Sequence, residues 1–393
     1  MTGNLPCLNN VKVARVATVA FFIDTQLHSQ INLTVQTGAK VSIVASEPYL
    51  NRPIEGAEYF SIEIPREINP FKDLLALLKL WRLFRKQKFD IVHSTTPKAG
   101  LLCALAGRIA GVPIRIHSYT GQPWVTLTGI KRQVAKWADR IIGFLDSACY
   151  ADSDSQRAFL VSEKLVPSKK LSVIGKGSLA GVDVNRFNPE RFSKAECDLI
   201  KESLGMPSNA IVLLFVGRIV RDKGVIELVD AFKKIIADQR VKSIYLLMVG
   251  PQELSKEELC ITPESEVSQR IMFTGYSDVP EQFMAISDVL CIPSYREGFG
   301  TVVIEAAAMG IPAIGTNIYG LSDAIVDGVT GLLVKPRDLL ELTQALEKIT
   351  HNKELRIKLG ENARRRVLRD FSSEVVNQLV IEEYAALLKR VRK

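Results

Sequence analysis

Short runs of Val, Ile, Leu and Ala recur along the chain, separated by longer stretches whose apolar residues fall at helical spacing. Residues 11–23 and 39–45 are short and Val/Ile-rich, as strands covered on both faces of a parallel sheet tend to be. Residues 71–88 carry apolar side chains at helical spacing and "FDIVHS" returns to strand. "GLLCALAGRIAG" reads as a small-residue helix and residues 113–117 as a further strand. A basic helix over 130–145, a strand at "SACYADS" and a helix at "DSQRAFLVSEKLV", opened by an Asp or Ser cap, complete this half. Such alternation predicts a parallel sheet with helices on both faces.

The pattern breaks at "GKGSLAGVDVNRFNPE", whose glycines, proline and polar residues mark an interdomain connection. It restarts with strands at "AIVLLFVG", "IYLLMVG", "IMFTGY", "DVLCIPS", "IPAIGT" and "TGLLV", and helices over 225–238, 279–287 and 302–309. From Leu339 onward the chain reads as nearly all helix, with a last helix opened by Ser372 or Ser373. Two doubly wound α/β domains follow, residues 1–188 and 189–370, with a terminal helix over 371–393 and a ligand expected at the carboxyl ends of the strands. Neither an internal repeat nor a low-complexity tract interrupts them.

Composition fits two cores: 393 residues, 47% hydrophobic and 24% charged, which excludes a disordered or fibrous chain. A net charge of +8 suits phosphate-bearing ligands, nucleic acid or an anionic membrane surface without choosing among them. Six cysteines lack a CxxC pair and several lie in apolar runs, which reads as buried, reduced thiols of a cytosolic protein. With four histidines, local spacing assembles no metal cluster. No apolar run reaches the roughly 18 residues a spanning helix needs. "VARVATVAFFI" is broken by Arg15 and lacks a basic n-region, so it reads as the first buried strand rather than a signal peptide.

Chemistry concentrates in "SYREGFGTVVIEAAAMGIPAIGT". Here a turn links a buried strand to a helix that runs toward Gly310. The N–H groups of Gly298, Phe299, Gly300 and Thr301 stand at the helix N-terminus, where unpaired donors and the helix dipole attract an anion. Glu297 lies just before that point and Glu305 about one turn inside the helix, each suited to accept from vicinal hydroxyls. An anion between two polyol-binding acids describes a nucleotide sugar; a helix cap plus a surface glutamate is the competing reading. In "FVGRIVRDKGVIELVDAF" a strand ends at Gly217, and Arg218 and Lys223 stand at the head of the next helix. Two cations there neutralise a departing diphosphate, or are two solvated charges. Arg221 and Asp222 read as solvated.

With "DGVTGLLVKPRD", these segments resemble the retaining glycosyltransferases of family 4, which have the GT-B fold: two doubly wound Rossmann-like α/β domains facing across a cleft. The Glu-x7-Glu signature of that family is met by Glu297 and Glu305. "HSTTPKAGLL", "RIHSYTGQPW", "ADSDSQRAFL" and "GSLAGVDVNRF" resemble the branch that builds capsule, exopolysaccharide and O-antigen chains on polyprenyl-diphosphate-linked sugars. The resemblance implies an N-terminal acceptor-binding domain, a C-terminal nucleotide-sugar-binding domain and a last helix that packs back on the first. It implies that Arg218 and Lys223 bind the donor diphosphate, that Glu305 holds the ribose, and that Glu297 meets the donor sugar. Gly217 and the backbone at Gly298, Phe299, Gly300 and Thr301 stand alongside, and Gly275 and Tyr276 lie by the base. His117 matches a position facing sugar and acceptor, with a core histidine as the alternative, and Lys98 is a candidate for the acceptor phosphate. Many relatives carry paired glycines after the first strand; "FFIDTQLHSQ" has none, so Asp24, Gln26 or His28 would have to substitute there.

Double displacement needs a carboxylate at the anomeric carbon, and only Asp24 offers itself in the N-terminal half. The resemblance implies front-side attack instead, with the leaving diphosphate assisting the incoming hydroxyl, no cofactor and no metal. The expected activity is a retaining hexosyltransferase, moving an N-acetylated hexose or deoxyhexose from a UDP-sugar to a lipid-diphosphate-linked saccharide. The basic amphipathic segment "NPFKDLLALLKLWRLFRKQKFD" and the patch "GIKRQVAKWADR" either rest on an anionic bilayer or pack inward with a solvated basic face. Their shared half, where a lipid-linked acceptor would arrive, favours a cytoplasmic enzyme peripheral on the inner face of the membrane. A nucleotide-sugar 2-epimerase shares the two-domain fold but lacks the flanked Glu-x7-Glu arrangement. A basic nucleic-acid-binding protein finds no binding module or aromatic stripe, aromatics being 7%, so nucleic acid is not an expected partner.

Overall fold

Two all-parallel sheets organise the chain in the computed structural model, which describes residues 5–237, 243–263 and 265–392. They belong to separate units, Met1–Gly181 with Ser373–Lys393, and Val182–Ser372.

The first unit has strands β1 (Lys12–Val16), β2 (Lys40–Ala45), β3 (Ala57–Ser61), β4 (Ile91–Ser94), β5 (Ile114–Tyr119), β6 (Ala148–Ala151) and β7 (Leu171–Val173), in the order β3-β2-β1-β4-β5-β6-β7. Successive residues of β1 serve opposite faces: Val13 enters one apolar cluster with Val41 and Ile43, and Ala14 and Val16 enter another with Val44. Helices α1 (His28–Gln36), α2 (Pro70–Gln87), α3 (Pro97–Ala110) and α4 (Gly129–Leu145) cover the faces, which is why the inner strands read as largely apolar runs. The first strand is shorter than the expected 11–23. It ends at Val16, and Ala20–Phe22 and a π-helical turn, Ile23–Leu27, lead into α1. Val19 is extended, and the Glu47 carboxylate accepts from the Ala20 N–H at 2.6 Å, which opens the helix. An apolar run alone does not distinguish a buried strand from a buried helix. Strands β3 and β7, both short and half-polar, carried no recognisable signal.

The second unit has β8 (Ile211–Val216), β9 (Ile244–Val249), β10 (Ile271–Gly275), β11 (Val289–Ile292), β12 (Ala313–Thr316) and β13 (Gly331–Val334), in the order β10-β9-β8-β11-β12-β13. Its helices include α5 (Val225–Ala237) and α6 (Thr301–Ala308); Asp238, the expected end of α5, lies outside the described residues. A capped helix at Lys194–Ser203, with Ser193 and Glu196 in a reciprocal capping box, was missed in the sequence.

The exchange between units falls seven residues before the expected boundary at 188. The Val182 N–H donates to the Phe371 carbonyl at 2.9 Å, and Val182 and Phe187 are buried in the second unit's core. The last helix, α7 (Ser373–Val391), therefore begins a return to the first unit, where Val380, Ile381 and Tyr384 join the apolar cluster of β1 and α1.

Candidate active site

In each sheet the strand order reverses beside the first strand, and a crevice opens at the carboxyl ends of the two strands flanking that point. In the second unit these are β8 and β11, so the loops starting at Gly217 and Pro293 meet there. Gly224 makes the meeting possible. Its φ is +67°, and a Cβ on it would lie 2.0 Å from the Pro293 carbonyl oxygen. Asp222, expected as a solvated charge, joins the two loops: its carboxylate pairs with Arg296 at 3.2 Å and its carbonyl accepts from the Tyr295 N–H. Arg221 is exposed and pairs with Glu258 at 3.0 Å.

Lys223 donates to Glu297 Oε1 at 2.5 Å, and the Ser294 hydroxyl donates to the same oxygen at 2.8 Å. The half-buried pair stands immediately before α6. Gly300 is the N-cap residue of that helix, at φ +84°, and its carbonyl accepts from the Val303 N–H at 2.8 Å, so the N–H groups of Thr301 and Val302 lie at the very start of the helix. Phe299 is buried and packs on Phe371 at 5.2 Å between centroids, so its ring anchors the turn while its backbone stays at the helix start. Gly310, at φ +79°, ends the helix as expected. Arg218 is exposed and bound to Glu253 at 2.9 Å. Both candidate diphosphate cations are thus held by carboxylates.

Glu305 lies one turn into α6. Its partly enclosed carboxyl is pushed up to about 7 by burial, against the attraction of Arg186. Arg186 donates to Glu281 at 2.7 Å and is held by that pair above its usual range. It comes from the "VDVNRF" segment, read in the sequence only as linker, and its charge beside Glu305 went unnoticed because the two lie far apart along the chain. Gly275 ends β10, where its carbonyl accepts from the Gly250 N–H at 2.8 Å, and Tyr276 follows it at 60% exposure.

The first unit holds His117 and Lys98. His117, expected at a strand end, lies within β5, which runs on to Tyr119, and is 1% exposed. Its Nδ1 is hydrogen-bonded to the Ser94 hydroxyl at 2.9 Å, its ring meets Tyr119 edge-on, and its atoms fill the space a side chain at Gly100 would need. Burial lowers its pKa to about 3, so the imidazole is neutral and acts only as a hydrogen-bond partner. Lys98, at the start of α3, bonds both oxygens of Asp73 at 2.8 and 2.6 Å. Asp24 is a structural group: its oxygens accept from the N–H groups of Asn51 and Arg52. The sequence reading also missed Asp152, after β6, a 7% exposed carboxyl pushed up to about 8 by burial, and Arg15, fully buried against His93 and the Tyr384 hydroxyl. Among the described residues no three His, Cys, Asp or Glu side chains form a metal-binding group.

Residues 197–366 match the family model "Glycosyl transferases group 1", and residues 23–177 match "Glycosyl transferase 4-like domain". The capsular polysaccharide biosynthesis glycosyltransferase CapM of Staphylococcus aureus is 32% identical over 387 residues, covering 97% of this chain and 99% of the relative. The Escherichia coli UDP-Gal:alpha-D-GlcNAc-diphosphoundecaprenol alpha-1,3-galactosyltransferase is 28% identical, over 94% and 91% of the two chains. A glycosyltransferase structure from Rickettsia africae superposes with a TM-score of 0.78 at 22% identity, covering 97% of this chain and 99% of that one. Anabaena HepE in complex with UDP gives a TM-score of 0.76 at 18% identity, over 96% and 100%. The two doubly wound units are those of the GT-B fold.

Proposed function

The chain belongs to the group 1 glycosyl transferases, and from that premise we propose that it moves a sugar from a UDP-sugar to a lipid-diphosphate-linked saccharide, with retention at the anomeric carbon, in the assembly of a bacterial surface polysaccharide such as capsule, O-antigen or exopolysaccharide. The observation that carries the reading is the grouping of Lys223, Ser294 and Glu297 at the head of α6, with Glu305 one turn further in, at the second unit's strand-order reversal. The relatives support it: CapM is named for capsule synthesis, and the Escherichia coli enzyme for a UDP-sugar donor and a diphosphoundecaprenol-linked acceptor.

In this reading the donor diphosphate takes Lys223 from Glu297 and Arg218 from Glu253. The exchange at Arg218 is inexpensive because exposed ion pairs contribute about 0–1 kcal/mol. Glu297, once released, accepts from hydroxyls of the donor sugar, an N-acetylated hexose or deoxyhexose, while Glu305 accepts from the ribose. Lys223 and Arg218 stabilise the charge that develops on the leaving UDP, with no metal or other cofactor, and the diphosphate oxygen draws the proton from the incoming hydroxyl as it attacks from the same face. His117, neutral and enclosed, ties β5 to the end of β4 through the Ser94 hydroxyl, which is the core-histidine alternative rather than a contact to the sugars.

The acceptor's lipid draws the enzyme to the inner face of the cell membrane. No helix among the described residues is long and apolar enough to cross it. Helices α2 and α4 carry exposed apolar residues among Lys72, Lys79, Arg82, Lys131 and Arg132, a composition that rests in an anionic interface. Flotation with anionic liposomes tests this arm: recovery in the floated fraction is expected, and retention in the soluble fraction would count against it. The transfer itself is tested with a panel of UDP- and GDP-sugars, with and without a chelator, on a lipid-diphosphate saccharide. Mass spectrometry should show one added sugar from a UDP donor whether or not chelator is present, and NMR the donor's anomeric configuration in the product. Transfer from no UDP-sugar, or inversion, defeats the proposal.

A further inference from the structure

The first unit has its own strand-order reversal, between β1 and β4, and a cavity of about 460 Å³ opens there. That size is within the roughly 300–1,000 Å³ of small-molecule sites. Its wall is built from Val19 after β1, Leu101 of α3, Trp124, and Val134 and Ala138 of α4, with Ile68 at one side. Trp124 is fixed in place: its ring stacks on Phe159 at 5.5 Å and its indole N–H donates to Asp139 at 2.7 Å. Burial pushes the Asp139 carboxyl up to about 7, so this wall is only partly charged near neutrality.

Two cations stand among the lining residues. Lys98 is shared with Asp73, and Arg66 is exposed and makes no ion pair among the described residues. Pro97 has no N–H and the Gly100 N–H donates to the Thr96 carbonyl, which leaves the N–H groups of Lys98 and Ala99 at the start of α3, where the helix dipole adds to the attraction for an anion. The wall is continuous with a larger surface. Val134 belongs to a stripe along α4, Ile130, Val134, Trp137, Ile141 and Phe144, whose spacing of four, three, four and three residues keeps it on one helix face. Ile130 and Phe144 are 83% and 77% exposed. An apolar chamber with cations among its lining residues, reached along an apolar stripe, is complementary to a molecule that joins a hydrocarbon chain to a diphosphate.

We propose that this cavity receives the first isoprenoid units of a prenyl-diphosphate-linked acceptor, with Lys98 and Arg66 meeting the diphosphate. The assignment rests on the reading of the chain as a transferase for lipid-linked acceptors, and places part of the acceptor's lipid inside the protein rather than wholly in the bilayer. An acceptor diphosphate takes Lys98 from Asp73, as the donor takes Lys223 from Glu297.

Calorimetric titration of the full chain, with UDP saturating so that the second unit's phosphate site is filled, compares inorganic, geranyl and farnesyl diphosphate below their micelle concentrations. Farnesyl diphosphate should bind roughly a hundred-fold tighter than inorganic diphosphate, with geranyl diphosphate between them. Ala138→Phe, which fills the chamber, should bring farnesyl diphosphate close to the inorganic value. Val134→Asp sits on a half-exposed position that tolerates the change in the folded chain, and should weaken farnesyl diphosphate in the same way. Equal affinity for all three diphosphates in the wild type, or a chain-length preference that survives both substitutions, overturns the assignment. So does farnesol binding as tightly as farnesyl diphosphate, since the cations would then have no part. Failure of the functional reading looks different: a wild type that prefers farnesyl diphosphate yet transfers no sugar to any lipid-diphosphate saccharide keeps the cavity and loses the reaction.

Discussion

Glu305 shows how one side chain joins burial to ligand chemistry. Its carboxyl is held near 7 because burial disfavours the charge, and in the proposed function it accepts from ribose hydroxyls, which bind best to the ionised form. Affinity for a uridine nucleotide should therefore be flat above pH 7 and fall by up to about ten-fold per unit below it, as one proton competes with the ligand. Stability runs the other way. A group whose folded pKa is raised stabilises the fold while protonated, and that contribution is lost as pH rises through 7. Calorimetric titration with UDP from pH 5.5 to 8 checks the binding limb: the wild type should bend near 7, and Glu305→Gln should remove the bend that the phosphate's own titration does not explain. Glu305 was legible in the sequence through its spacing from Glu297. Arg186 was not, because only the fold carries a cation from "VDVNRF" to the Glu281 carboxylate beside it.

At the level of elements, the site depends on two loops pressed together at the ends of β8 and β11. Gly224 permits this by having no side chain where the Pro293 carbonyl passes, and by adopting φ +67°. Gly224→Ala must shift backbone rather than a flexible side chain, and should destabilise the second unit by about 3 kcal/mol. Urea unfolding should show that loss, together with weaker UDP binding because Lys223 is the preceding residue. Strands β8 and β11 were readable as unbroken apolar runs. What misled was the run after β1, where Ala20–Phe22 and the turn Ile23–Leu27 are apolar because they too are buried. Burial on all sides leaves no period to read. Asp222 looked like a solvated charge for a related reason: its partner, Arg296, lies on the other loop.

For the whole molecule, the chain leaves the first unit at Gly181 and returns to it at Ser373. That return supplies Tyr384, whose hydroxyl accepts from the buried Arg15 guanidinium at 2.6 Å and is hydrogen-bonded to His93 at 2.7 Å. Arg15 already has Nε and Nη2 without partners, so it depends on the bonds that remain. Tyr384→Phe should destabilise the first unit by about 3 kcal/mol, the loss expected when a buried charge loses a partner, and denaturant unfolding of the full chain should register it. A charged residue inside the apolar run of β1 gave no hint that a helix 369 residues later would bond to it.

In the proposed function the group at the head of α6 carries out the sugar transfer. It is tested most directly by the rate of product formation, followed by mass spectrometry, for wild type and Lys223→Ala at saturating UDP-sugar and lipid-diphosphate saccharide. Turnover should fall on the order of 100-fold or more, as for loss of a principal electrostatic group, with the variant as stable as the wild type. Turnover near the wild-type rate in a folded Lys223→Ala protein would contradict it.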